Sequence, residues 1–124
     1  MSAIKYPPVG TRGVGLARAQ GYGSNFDDYK KWQEKETILI IQIESIDAVN
    51  NLEEIFSSEE IDGFIIGPYD LSASIGVPGQ FDHPDFLNAV KRINIFTEKM
   101  DILRGIHIIE PNVGELNGCI EQGY

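Results

Sequence analysis

At 124 residues and 42% hydrophobic composition, the chain has enough apolar side chain for the core of one domain. A formal charge of −9, with lysines and arginines nowhere clustered, excludes a nucleic-acid partner, which needs cations to neutralise phosphates. No stretch approaches the roughly 20 apolar residues of a membrane span, and the start lacks a signal-peptide pattern. The single cysteine, Cys119, allows no internal disulfide, so the expectation is a protein of the reducing cytoplasm with no membrane partner.

The opening residues Met1-Ser-Ala-Ile-Lys-Tyr6 read like the tail of a helix. Pro7 and Pro8, followed by five glycines before Ser24, forbid a long helix in the next segment. Residues 26–35 suit a short helix with Ser24 or Asn25 as cap. The β-branched run at 37–44 reads as a first strand. Ile46, Val49, Leu52, Ile55 and Phe56 then recur at helical spacing over 46–58.

A second strand spans 61–67 and breaks at Gly67-Pro68, and the residues up to Gly79 read as a loop. Pro84 opens a helix that carries Phe86, Leu87, Val90, Ile93 and Met100 on its buried face to about residue 100. A third strand spans 102–109. A last helix from about 112 turns Val113, Leu116, Cys119 and Ile120 inward and stops at Gly123. Strand-helix order repeated three times argues an α/β fold with a parallel sheet. The chain divides into a Gly/Pro-rich segment with a short helix, residues 1–35, and three βα units, residues 36–124, within one domain. Three such units leave two open sheet edges, so the expectation is part of a larger domain.

Glu44 and Asp70 each close one of the apolar runs, 26 residues apart, about one strand and one crossover helix. An acid at the end of a buried parallel strand is costly unless something uses it. Both would stand at the carboxyl edge of one sheet, where side chains face a ligand crevice. As oxygen ligands they suit Mg²⁺, Mn²⁺ or Co²⁺. Equally, Glu44 can cap the following helix and Asp70 can stabilise a turn.

Gln42 shares Glu44's side of the strand, to donate to a ligand or to orient Glu44. The corner Gly67-Pro68-Tyr69-Asp70 frees backbone N–H groups for an anionic oxygen. Arg12 suits either an anion or a surface salt bridge. His107, in an apolar strand, reads as a hydrogen-bonded core residue, and His83 as the start of a helix. Trp32 and Tyr29 read as packing or interface residues, and Cys119 as core.

Four segments in order, KYPPVGTRGVGLARAQGYG, IIQIES, IDGFIIGPYDLSASIGVPGQFDHP and GIHIIEP, resemble the HpcH/HpaI aldolases, and the likeness covers nearly the whole chain. These are metal-dependent pyruvate aldolases. The resemblance implies a (β/α)8 TIM barrel of the phosphoenolpyruvate/pyruvate type, of which this chain would supply about strands five to seven. It implies a hexameric homo-oligomer. It also implies a divalent metal on Glu44 and Asp70, Gln42 beside a 2-oxo acid, and the N–H groups of Tyr69 and Asp70 on its carboxylate. The reaction would be reversible aldol cleavage of a 4-hydroxy-2-oxo acid to pyruvate and an aldehyde.

The family's acid–base pair and pyruvate-binding arginine have no match here and would precede residue 1. Arg12 does not take that role, and the chain alone is expected to be inactive. Alternatives are a lyase like the citrate lyase β-subunit or malyl-CoA lyase, and a catalytically inactive truncated product.

Overall fold

Where an apolar run becomes a strand here depends on which of its backbone groups find partners. In the computed structural model, which describes residues 2–124, Leu39 gives its N–H to the Asp62 carboxylate at 2.7 Å. Its carbonyl accepts the N–H groups of Asp62 and Gly63. The first strand, β1, therefore begins only at Ile40 and runs Ile40–Ile43, shorter than the pattern predicts. The chain forms two compact units, Met1–Ile38 and Leu39–Tyr124.

In the first unit the glycines and prolines leave only 3₁₀ turns, Ser2–Ile4 and Arg18–Gly23, before helix α1, Phe26–Glu36. Met1 of the expected helix tail lies outside the described residues. Tyr6 is buried, with its ring edge-on to Phe26 at 5.3 Å. The Arg12 guanidinium lies over that ring at 4.8 Å, a cation–π contact. The buried Gln33 amide is satisfied by donating to the Ile4 carbonyl and the Thr37 hydroxyl. Tyr29 and Trp32 stack at 5.8 Å on the outside of α1, and Trp32 is exposed.

The second unit is a parallel sheet of β1, β2 (Gly63–Ile66) and β3 (Leu103–Ile106), in that order. Gln42 pairs with Ile65, Ile43 with Ile66, and Ile66 with Ile106. One face is covered by helices. Ile43, Phe64 and Ile66 pack there with Val49, Leu52, Leu71, Phe86 and Ile93, all of them buried. The other face carries Ile40, Gln42, Ile65 and Leu103, and Ile40 and Leu103 are exposed.

The predicted helix over 46–58 is two, α2 (Ile46–Asn50) and α3 (Leu52–Ile55). Asn51 breaks it, because its side chain donates to the Asp47 carbonyl at 2.7 Å and holds the backbone off helical geometry. The expected loop after β2 contains a helix, α4 (Pro68–Ile75). Pro68 sits at its first position, where a missing N–H costs nothing, and Gly76 ends it at φ 94°.

Helix α5 is Pro84–Thr97, started by His83, whose Nδ1 accepts from the Asp85 N–H. Leu87, expected on its buried face, is exposed; Met100 packs on the core from beyond the helix end. The largest departure is α6, Val113–Glu121. Val113, Leu116 and Ile120, expected inward, are exposed, and Cys119 is only half-buried.

Instead β3 is tied to the chain's last turn through polar groups. Arg104 and Tyr124 both donate to the Asn94 side-chain oxygen, and the guanidinium lies over the Tyr124 ring at 5.3 Å. Burial pushes the Tyr124 phenol above its usual 10.0, against the opposing pull of the Asn94 bond and the Arg104 charge. Among the described residues no helix is long and apolar enough to cross a membrane.

Candidate metal and keto-acid site

The strand period puts Gln42 and Glu44 on the open face of β1, with Glu44 one residue past the strand end. The ladder continues beyond the strands. Gly67 N–H donates to the Ile43 carbonyl and His107 N–H to the Ile66 carbonyl, both at 3.1 Å. Glu44, Gly67 and His107 thus form one row across the carboxyl edge of the sheet.

Gly67 matters in that row because it has no side chain. A Cβ there would lie 2.7 Å from Gln42 Nε2, 3.1 Å from Glu44 Cβ and 3.2 Å from Glu44 Oε2. The amide and the carboxylate therefore converge on space that any other residue would occupy.

Gly67 is also the N-cap of α4 and offers no side-chain acceptor. The first helical bond is Leu71 N–H to the Gly67 carbonyl at 3.0 Å. Pro68 has no N–H, so Tyr69 and Asp70 present the free donors of this helix start, at its positive end. Asp70 lies in the first turn of α4 and not at a strand end as predicted, and its side chain is exposed. Glu44 is half-buried.

The capping role open to Glu44 goes unfilled, whereas Asp70, in the first turn of α4, stands where an acid favours a helix start. Helix α2 is capped by Ser45, whose Oγ accepts from the Ala48 N–H at 3.1 Å, and not by Glu44. Among the described residues neither the Glu44 nor the Asp70 carboxylate makes a hydrogen bond or ion pair. No group of three or more His, Cys, Asp or Glu side chains is placed to hold a metal among the described residues. A cation here would therefore rely on two carboxylates, with the donor chemistry of a hard divalent ion and open positions for a substrate's oxygens.

His107 corrects its sequence reading. It stands past the end of β3, exposed, on the open face. It lines a cleft of about 610 Å³ that shares Pro68 and Tyr69 with the helix start and includes Phe81, Glu110 and Glu115. No periodicity marks the last three, because their approach depends on the loops after α4 and β3 and on α6. Tyr69 and Phe81 meet edge-on at 5.1 Å to form one wall.

The model of the HpcH/HpaI aldolase/citrate lyase family matches residues 1–124. The chain belongs to that family. Its stretch of 98 residues is 44% identical to the hydroxypyruvate/pyruvate aldolase of Roseobacter denitrificans, covering 74% of this chain and 38% of that protein. It is likewise 44% identical over 94 residues to the 2-keto-3-deoxy-L-rhamnonate aldolase of Klebsiella pneumoniae, of which 35% is covered.

An HpcH/HpaI aldolase/citrate lyase family protein from Burkholderia cenocepacia superposes with a TM-score of 0.80 at 29% identity, over 98% of this chain and 48% of that one. The HpcH/HpaI chain thus spans about half the length of that solved relative and little more than a third of the curated ones. The relatives' names place it in a family of carbon–carbon lyases of the aldolase type.

Proposed function

We propose that this chain carries the metal corner of a divalent-metal-dependent pyruvate aldolase built on a (β/α)8 barrel, cleaving a 4-hydroxy-2-oxo acid reversibly to pyruvate and an aldehyde. The observation that carries this reading is the convergence of Gln42 and Glu44 on bare Gly67, at a helix start with free N–H donors.

In this reading Glu44 and Asp70 would hold the cation, which when bound would supply Lewis-acid charge for aldol chemistry. The N–H groups of Tyr69 and Asp70 receive the substrate carboxylate and fix its orientation. Gln42 donates its amide N–H beside them. Proton transfer and a second anion contact are assigned to residues other than these. The proposed setting is a cytoplasmic homo-oligomer acting on small molecules. A lyase acting on coenzyme A esters fits less well, since 10 basic against 19 acidic residues offer no cluster for a nucleotide's phosphates.

Electron paramagnetic resonance titration of the chain with Mn²⁺ tests the site without requiring turnover. One ion should bind. Glu44→Gln and Asp70→Asn should each weaken it by at least about tenfold, the loss seen even when a ligand's outer partner is removed. Unchanged affinity in both variants would overturn the reading.

A further inference from the structure

Two serines on α4 reach to different neighbours. Ser72 is fully buried; its Oγ donates to the Tyr69 carbonyl at 2.8 Å and accepts from the Gly79 N–H at 3.0 Å, closing the helix onto its own loop. Ser74 leaves the helix. Its Oγ donates to the Leu71 carbonyl at 2.8 Å and accepts the N–H of Ile46 at 2.8 Å. Because Leu71 takes the hydroxyl proton, a lone pair is left aimed at Ile46.

Ile46 is the first residue of α2 and stands two residues after Glu44. Its N–H has no acceptor within its own helix, and the neighbouring cap, Ser45, already serves Ala48. On the other side, Ser74 stands one helical turn beyond Asp70, on the same helix. This side-chain hydrogen bond therefore joins the two segments that carry the two acids from behind, beside the ladder bond from the Gly67 N–H to the Ile43 carbonyl.

We propose that Ser74 is a positioning residue for the cation site, pinning the Glu44 turn to α4 and so setting the separation of Glu44 from Asp70. The inference rests on reading those acids as cation ligands. A site with only two protein ligands has no third side chain to absorb slack between them. Loosening this one bond therefore falls on the bound ion, while the fold, whose core does not include Ser74, hardly feels it.

The test is Mn²⁺ titration of the full chain and of Ser74→Ala, Ser74→Thr and Thr97→Val, each with a thermal melt. Thr97 is fully buried and its hydroxyl bonds only within α5, so its replacement reports general loosening. Ser74→Ala should weaken Mn²⁺ about two- to tenfold, the range of one net hydrogen bond, while its melting temperature falls no further than that of Thr97→Val. Ser74→Thr should restore affinity, and Thr97→Val should lower the melting temperature alone. An unchanged affinity in Ser74→Ala, or affinities that simply track melting temperature, overturns the positioning role while the site stands. Failure of the unaltered chain to bind Mn²⁺ overturns the site itself, and this role with it.

Discussion

The two faces of the three-stranded sheet are built from the same strands and do opposite work. On the covered face Phe64 and Ile66 are 2% and 0% exposed beneath α2, α4 and α5; on the open face Ile40 and Leu103 are 47% and 67% exposed. The period-2 alternation of a strand separates the two sets residue by residue. Apolar burial is therefore concentrated where no chemistry is proposed, and the polar pair Gln42 and Glu44 stands where little burial is at stake. A sheet arranged this way can change its site without dismantling its core.

Substitutions on the two faces would sharpen or break that separation. Phe64→Ala removes a ring packed against Phe56 at 5.6 Å and should lower unfolding free energy by about 3–5 kcal/mol in urea denaturation followed by circular dichroism. A loss below about 1 kcal/mol would mean that the covered face is not the core of this unit. Gly67→Ala lies on the open face but in a crowded row. It should cost about 1–3 kcal/mol by forcing Gln42 and Glu44 aside, and its Mn²⁺ affinity should fall further than that of any variant of equal stability. Leu103→Ser, on the same face but in the open, should stay within about 0.5 kcal/mol of the unaltered chain in the same assay.

The sheet was legible because each strand lies in an apolar, isoleucine-rich stretch, 37–44, 61–67 and 102–109. The helix-covered positions Val49, Leu52, Phe56 and Ile93 followed directly from helical spacing. Helix α4 escaped detection because its boundary residues, Gly67-Pro68 and Gly76, are the same ones that mark loops, and only eight residues lie between start and stop. Leu116 and Ile120 have the right period and still lie exposed, because periodicity reveals an apolar stripe but not whether anything covers it.

Of the candidate site, Gln42 and Glu44 were readable from strand parity. The role of Gly67 was not, since a close approach of two side chains leaves no periodic trace. Ser74 was equally silent, because its partner Ile46 is 28 residues away in sequence. The HpcH/HpaI resemblance pointed to the acids, whereas the serine that joins their two segments emerged only from the structure.

The row of Glu44, Gly67 and His107 also sets which changes of length the chain can absorb. Parallel pairing counts residues from Gly63 to Gly67 against those from Ile40 to Glu44. Lengthening the turn at residues 57–60 leaves that count intact and adds loop entropy that grows only slowly with length. Removing one residue between 63 and 66 would turn the next side chain to the opposite face and bring a bulky residue where Gly67 stands. Insertions and deletions are therefore tolerated in the turn at 57–60 and fatal to the site within Ile40–Glu44 or Gly63–Gly67.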